Sequence, residues 1–252
     1  MHRSAWRVTA RSAISLMILL FFLPGGCAAK LPTYPGLDDA AALRVIAERF
    51  ESVTSAQAVA ELSLTSLDGQ TVTLDAALVA APPDRVRLRA WKFGSPVLDV
   101  TVLPEGVWAF AAARPGRALE SPMPDPGTLH SAAVSQSVGA FTRTFFAAAV
   151  PVETASTRST LIVVGPAFDR PDVRCEIERA TLTPRRFILE AQGTSSELLL
   201  DRYAMIDGVA WPRRMVFRSP EGSVVVRTSE IDFNDELPPN AFVPPARAKR
   251  LP

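Results

Sequence analysis

Apolar and polar positions divide the chain into one short helical stretch followed by a long series of strands. Leu43, Ile46, Ala47 and Phe50 recur at the spacing of one helical face, with Arg44, Glu48, Arg49 and Glu51 on the other. Asp38 or Asp39 can cap that helix. From Ala58 the period changes to two. Ala60, Leu62 and Leu64 alternate with Glu61, Ser63 and Thr65, and Asp68-Gly69 is a hairpin signal. Val72, Leu74, Ala76 and Leu78 continue the alternation up to the break at Pro82-Pro83-Asp84. Val86, Leu88 and Ala90 then alternate with Arg85, Arg87 and Arg89. Gly94-Ser95-Pro96 leads into Leu98, Val100 and Val102, and Pro104-Glu105-Gly106 into Trp108 and Phe110. Five successive strands with short connections predict an antiparallel meander with one wet face.

The stretch from Arg114 to Thr128 carries four prolines and reads as a loop. Val134, Val138, Phe141, Phe145 and Ala148 predict a second helix, ended before Pro151. Strands resume at Leu161–Val164, Val173–Arg179, Phe187–Ala191, Leu198–Tyr203, Val209–Phe217 and Val224–Ile231, with turns at Asp207-Gly208 and Glu221-Gly222. The fold class expected is mainly β (α+β): a single curved antiparallel sheet or half-open β-barrel of about 11 strands covered by two helices.

The N-terminus changes the picture. Arg3, Arg7 and Arg11 precede an apolar run of 11 residues, Ala13 to Leu23, which fits a secretory signal and falls short of a spanning helix. Leu23-Pro24-Gly25-Gly26-Cys27 follows and resembles the bacterial lipobox, in which the cysteine is acylated and becomes the new N-terminus. The lipobox pattern wants leucine where Pro24 stands; ordinary signal cleavage near Ala28 or Ala29 is the alternative, giving a soluble periplasmic protein. Residues 1–26 are therefore expected to be a lipoprotein-type signal peptide, 27–36 a lipidated tether and 37–252 one domain. Ala28 follows the cysteine where an aspartate would retain many lipoproteins in the inner membrane, so the resemblance implies attachment to the outer membrane, facing the periplasm.

Charge and chemistry narrow the function. The 27 cations, less Arg3, Arg7 and Arg11, leave 24 against 26 acids, without the basic excess of a nucleic-acid binder. His130 is the one histidine left after cleavage, and Cys175 the one thiol besides Cys27, with its alternation placing it inside the sheet. No nucleophile elbow, phosphate loop, Cys-x-x-Cys or His-Glu-x-x-His motif is present. Neither catalytic residues, a metal site nor a cofactor is expected. The row Arg85, Arg87 and Arg89 reads as a solvated outer face, with anionic lipid headgroups as the functional alternative.

Two stretches resemble the Lol lipoprotein-localisation family, the periplasmic lipoprotein carrier and its outer-membrane receptor. One is Pro83-Asp84-Arg85-Val86-Arg87-Leu88 with Phe93-Gly94; the other is Tyr203, Asp207-Gly208, Pro212, Phe217, Ile231, Asn234, Leu237 and Phe242-Val243-Pro244-Pro245. The likeness spans roughly residues 38 to 247. It implies an open barrel with a helical lid, whose apolar cavity takes the acyl chains of a lipid or a lipoprotein partner. The cavity residues expected are Val86, Leu88, Ala90, Leu98, Val100, Val102, Trp108 and Phe110 from the meander, Phe187, Leu189, Met215 and Phe217 from the later strands, and Phe141 and Phe145 from the lid. A second function class stays open: an anchored, non-catalytic scaffold or protein-interaction module whose interior its own side chains fill.

Overall fold

The computed structural model describes residues 30–112, 148–152, 154–167, 170–191, 194–220 and 222–250. Its one long helix in these residues, α1 (Asp39–Glu51), starts at Asp38, whose backbone is extended and whose carboxylate accepts the Ala41 amide at 2.7 Å. That satisfies an amide with no partner inside the helix. Ala42, Leu43, Ile46, Ala47 and Phe50 are buried, as the helical spacing predicts. Arg49 donates to the carbonyl of Leu182 at 3.1 Å, and Arg179 pairs with Asp39 at 2.7 Å, so both ends of the helix are tied to the same sheet loop.

The strands form one antiparallel sheet. The meander comprises β1 (Ala56–Ser66), β2 (Thr71–Ala81), β3 (Arg85–Lys92), β4 (Ser95–Leu103) and β5 (Gly106–Ala111). The second run is β6 (Val150–Pro151), β7 (Thr160–Ala167), β8 (Arg170–Glu178), β9 (Thr183–Ala191), β10 (Thr194–Ile206), β11 (Val209–Ser219) and β12 (Gly222–Phe233), and β13 is Lys249–Arg250. The spatial order is β13-β5-β4-β3-β2-β1-β12-β11-β10-β9-β8-β7-β6, so the sheet is open and the chain passes from one edge to the other between β5 and β6. Eleven strands are long, as the alternation predicts; the two extra ones are dipeptides at the edges.

Local chemistry sets the turns. Asp207-Gly208 joins β10 to β11 with φ of 48° and 82°, the two-residue primed turn that an Asp-Gly pair favours. Gly222 has φ 144°, and a Cβ there would collide with the Thr65 carbonyl of β1. The bulge between Val59 and Ala60, against β12, together with others in β3–β4 and β8–β9, adds the local twist that curls a sheet.

Apolar residues on the inner face, the one α1 covers, form two clusters. The first joins α1 to β7–β12 through Phe50, Leu161, Cys175, Phe187, Trp211, Met215 and Phe233; Trp211 and Phe233 meet edge to face at 5.6 Å. The second lies on β1–β5, with Phe217 and Val224 from β11 and β12. The expected second helix, with Phe141 and Phe145, and the signal segment with Cys27 lie outside the described residues. Tyr34 donates its amide to the Ala180 carbonyl at 2.9 Å and packs on the first cluster, so the chain is docked from Tyr34 onward.

Candidate functional site

The inner face of the meander is the candidate binding surface. Register places Val86 opposite Val102, Leu88 opposite Val100 and Ala90 opposite Leu98, so these six share one face, and all six are buried. Phe217 joins them, whereas Phe187 and Met215 belong to the helix-covered cluster. Leu189 pairs with Val173 in the β8–β9 register; its side chain lies outside the described residues.

Trp108 and Phe110 do not share that face. The tight β4–β5 turn pairs Leu103 with Gly106, which sets Val107 opposite Val102 and Ala109 opposite Val100. Trp108 and Phe110 therefore pair with Thr101 and Asp99 on the outer face. The sequence expectation assigned the large aromatics to the interior, but the turn fixes the register, and a one-residue offset reverses every side chain. Trp108 instead carries the Arg250 guanidinium 5.7 Å above its ring.

The arginine row is also corrected. Arg87 grips Asp99 through two bonds, Nε to Oδ1 at 3.0 Å and Nη2 to Oδ2 at 2.8 Å. Its Nη1 donates to the carbonyls of Asn240 and Ala241 at 3.3 and 3.1 Å. Asp99 is 4% exposed and Thr101 fully buried, so the segment after β12 covers this part of the outer face instead of leaving it wet. Arg89 also reaches Asp99, at 3.3 Å, and lies over the Trp91 ring. Among the described residues, only Arg85 of the row is exposed without a partner. The signal that could have revealed this was Asp99, an acid at a polar position of β4 opposite Arg89.

Elsewhere the outer face is a charge ladder. Glu197 bridges Arg186 and Arg218 at 2.8 and 2.9 Å, and Arg227 meets Glu61 at 3.0 Å. Burial pushes the Glu197 carboxyl up, but the hydrogen bonds from Arg218 and Arg186 outweigh it and hold it below the ordinary glutamate range. A groove of about 900 Å³ opens between Tyr34–Leu37 and the loops at Ser156–Ser159 and Glu178–Leu182. On its charged rim, Arg179 is held by Asp39 and Glu178 by Arg185 and Thr181, while Arg158 also lines it.

Neither a metal-binding cluster of three or more His, Cys, Asp or Glu residues nor a helix long and apolar enough to cross a membrane occurs among the described residues. Cys175 is completely buried in the first cluster, and desolvation pushes its thiol well up.

Sequence reasoning placed two hairpin turns but missed the exposed side chains at their tips. Phe93-Gly94 joins β3 to β4 with φ of 51° and 76°, placing a bulky aromatic in a conformation that suits glycine or asparagine. Phe93 is 95% exposed, with the Lys92 ammonium 5.6 Å over its ring. Leu67, 76% exposed, tips the β1–β2 turn at the same end of the sheet.

Three solved structures share this architecture. A candidate outer membrane lipoprotein-sorting protein domain from Vibrio parahaemolyticus aligns over 81% of this chain and 95% of its own, with TM-score 0.55 and 12% identity. A LolA superfamily protein from Nitrosomonas europaea aligns over 80% and 97%, at TM-score 0.54 and 13% identity. The fold is LolA-like. A DUF1329 family protein from Desulfovibrio piger aligns over 82% and 98%, with TM-score 0.51 and 12% identity. No family profile and no curated protein sequence matches the chain. At these identities the likeness establishes the LolA-like fold and leaves the task to the chain's own residues.

Proposed function

We propose that the protein is an envelope lipoprotein that binds lipid or acylated cargo on the inner face of β1–β5. The observation that carries this reading is the surface itself: a continuous apolar face of Leu, Val and Ala, with Phe217 its one aromatic among the buried residues, on a fold shared with lipoprotein-sorting structures. Acylation of Cys27 would fix the chain to the outer membrane with residues 27–36 as the tether, docked from Tyr34, and residues 37–252 would act as one domain. Three acyl chains at ~0.8 kcal/mol per buried methylene make such an anchor effectively permanent. Phe93 and Leu67 would then meet the bilayer from one end of the sheet. An exposed aromatic in a disfavoured backbone conformation has no use in folding, yet burying it in lipid would gain ~2 kcal/mol.

One observation favours the second reading, an anchored scaffold. The six meander residues are already buried in the unliganded chain, with Val100 and Ala90 fully so. Native mass spectrometry of the protein purified from membranes separates the two: lipid-mass adducts, lost on solvent extraction, are expected. A bare mass together with no binding of a fluorescent fatty acid would establish the scaffold. Labelled palmitate should enter the full-length protein and not Cys27→Ala; equal labelling would remove the anchor.

A further inference from the structure

We infer that Thr228 and Arg213 mark the head end of a lane for a single acyl chain, where they bind a carboxylate or ester carbonyl oxygen. The inference rests on the lipid-binding reading above and names the chemistry it would recognise.

The lane follows from register. Thr228 stands opposite Ala60, Ala60 opposite Ala76, and Ala76 opposite Ala90, so one row perpendicular to β12, β1, β2 and β3 ends in methyl groups. The next row on one side pairs Leu62 with Leu74, and the row on the other pairs Leu78 with Leu88. Leucines flank an alanine row whose lining is buried, so an acyl chain would enter it by displacing the groups that cover it. Three strand spacings make the row roughly 14 Å long, about the reach of eleven methylenes at ~1.3 Å each.

Small residues alone would not indicate a ligand. The second observation is Thr228, 6% exposed on this same face, whose Oγ1 is buried without a hydrogen-bond partner. A hydroxyl in that position is normally satisfied, because burying it unpaired is costly. Its register position is the end of the apolar row. Arg214 pairs with Arg227, which puts Arg213 next to Thr228 on the neighbouring strand. Arg213 alternates with Trp211 and Met215, both in the core, so it too belongs to the inner face. Its Nη1 donates to the Ser229 carbonyl at 2.7 Å, across the bulge, and a guanidinium has further N–H donors to offer an oxygen ligand.

The test is binding of cis-parinarate to the full chain, with palmitate and methyl palmitate as competitors. Thr228→Val keeps the shape and removes the hydroxyl. It should raise the thermal midpoint, since an unpaired buried hydroxyl is gone, and weaken cis-parinarate about tenfold; Thr228→Ser should keep parental affinity. Arg213→Gln should weaken palmitate more than methyl palmitate if the ligand is a free carboxylate, and both equally if it is an ester. Ala76→Leu should shift preference to shorter chains by blocking the row. A parent that binds cis-parinarate while Thr228→Val binds it equally well would overturn this inference and leave the proposed function standing. A parent that binds none of the three probes would overturn both.

Discussion

The two halves of the inner face are built from different side chains. Against α1 the core uses Phe50, Phe187, Trp211, Met215 and Phe233, interlocked with the helix and with Tyr203, whose hydroxyl donates to the Pro184 carbonyl. Burial pushes that phenol well above the ordinary tyrosine range, so it stays a neutral donor. On the meander the buried set is Ala60, Leu62, Leu64, Leu74, Ala76, Leu88, Ala90, Leu98, Val100 and Ala109, with Phe217 at the margin. Large rings with fixed partners make a unique, rigid core. A surface of alanine and branched aliphatics has shallow relief and weakly specified contacts, which suits a ligand without fixed shape. Under the proposed reading, the helix-covered half holds the fold and the meander binds.

The largest effect is expected where the rings interlock. Phe187, 1% exposed, should cost about 3–5 kcal/mol on truncation to alanine, from lost burial plus the cavity left behind. Denaturant unfolding measures it, and a cost below about 1 kcal/mol would erase the distinction between the halves. An intermediate effect comes from adding volume to the meander. Val100→Phe should cost less than about 1 kcal/mol and abolish binding of the fatty-acid probe; a fully packed face would lose ~1–3 kcal/mol through overpacking. That larger loss, with no probe binding by the parent, would make both halves ordinary core.

The distinction explains what the sequence made legible. Period-two alternation predicted all eleven long strands, and helical spacing with Asp38 predicted α1, because each signal is local. Six of the expected cavity residues lie together for the same reason. Trp108 and Phe110 were misplaced because their face depends on the register at Leu103–Gly106, and hydrophobicity pulled the reading inward. Arg87 was misread because what covers it, Asn240 and Ala241, lies about 150 residues away in sequence. The unpaired hydroxyl of Thr228 has no sequence signature, since threonine in a strand is ordinary and only the bulge beside it and its burial single it out.

The smallest effect tests whether charge on the outer face also distinguishes the halves. In the meander Asp99 is buried beneath the segment after β12, while Glu197 in the helix-covered half sits between two guanidiniums that are 40% and 56% exposed. Water and salt screen the second tie, so Glu197→Gln should cost no more than about 1 kcal/mol at neutral pH. Because the folded carboxyl is held below its ordinary value, its contribution is complete above the unfolded value and fades as pH falls through the folded one. Parent and Glu197→Gln should therefore differ at pH 7, converge as pH falls below about 4, and differ less at 1 M salt than at 0.05 M. Thermal midpoints across that range decide it. A gap that persists at acid pH would mean that Glu197 acts through packing, and the outer ladder would then be part of the rigid half's core and not a screened surface tie.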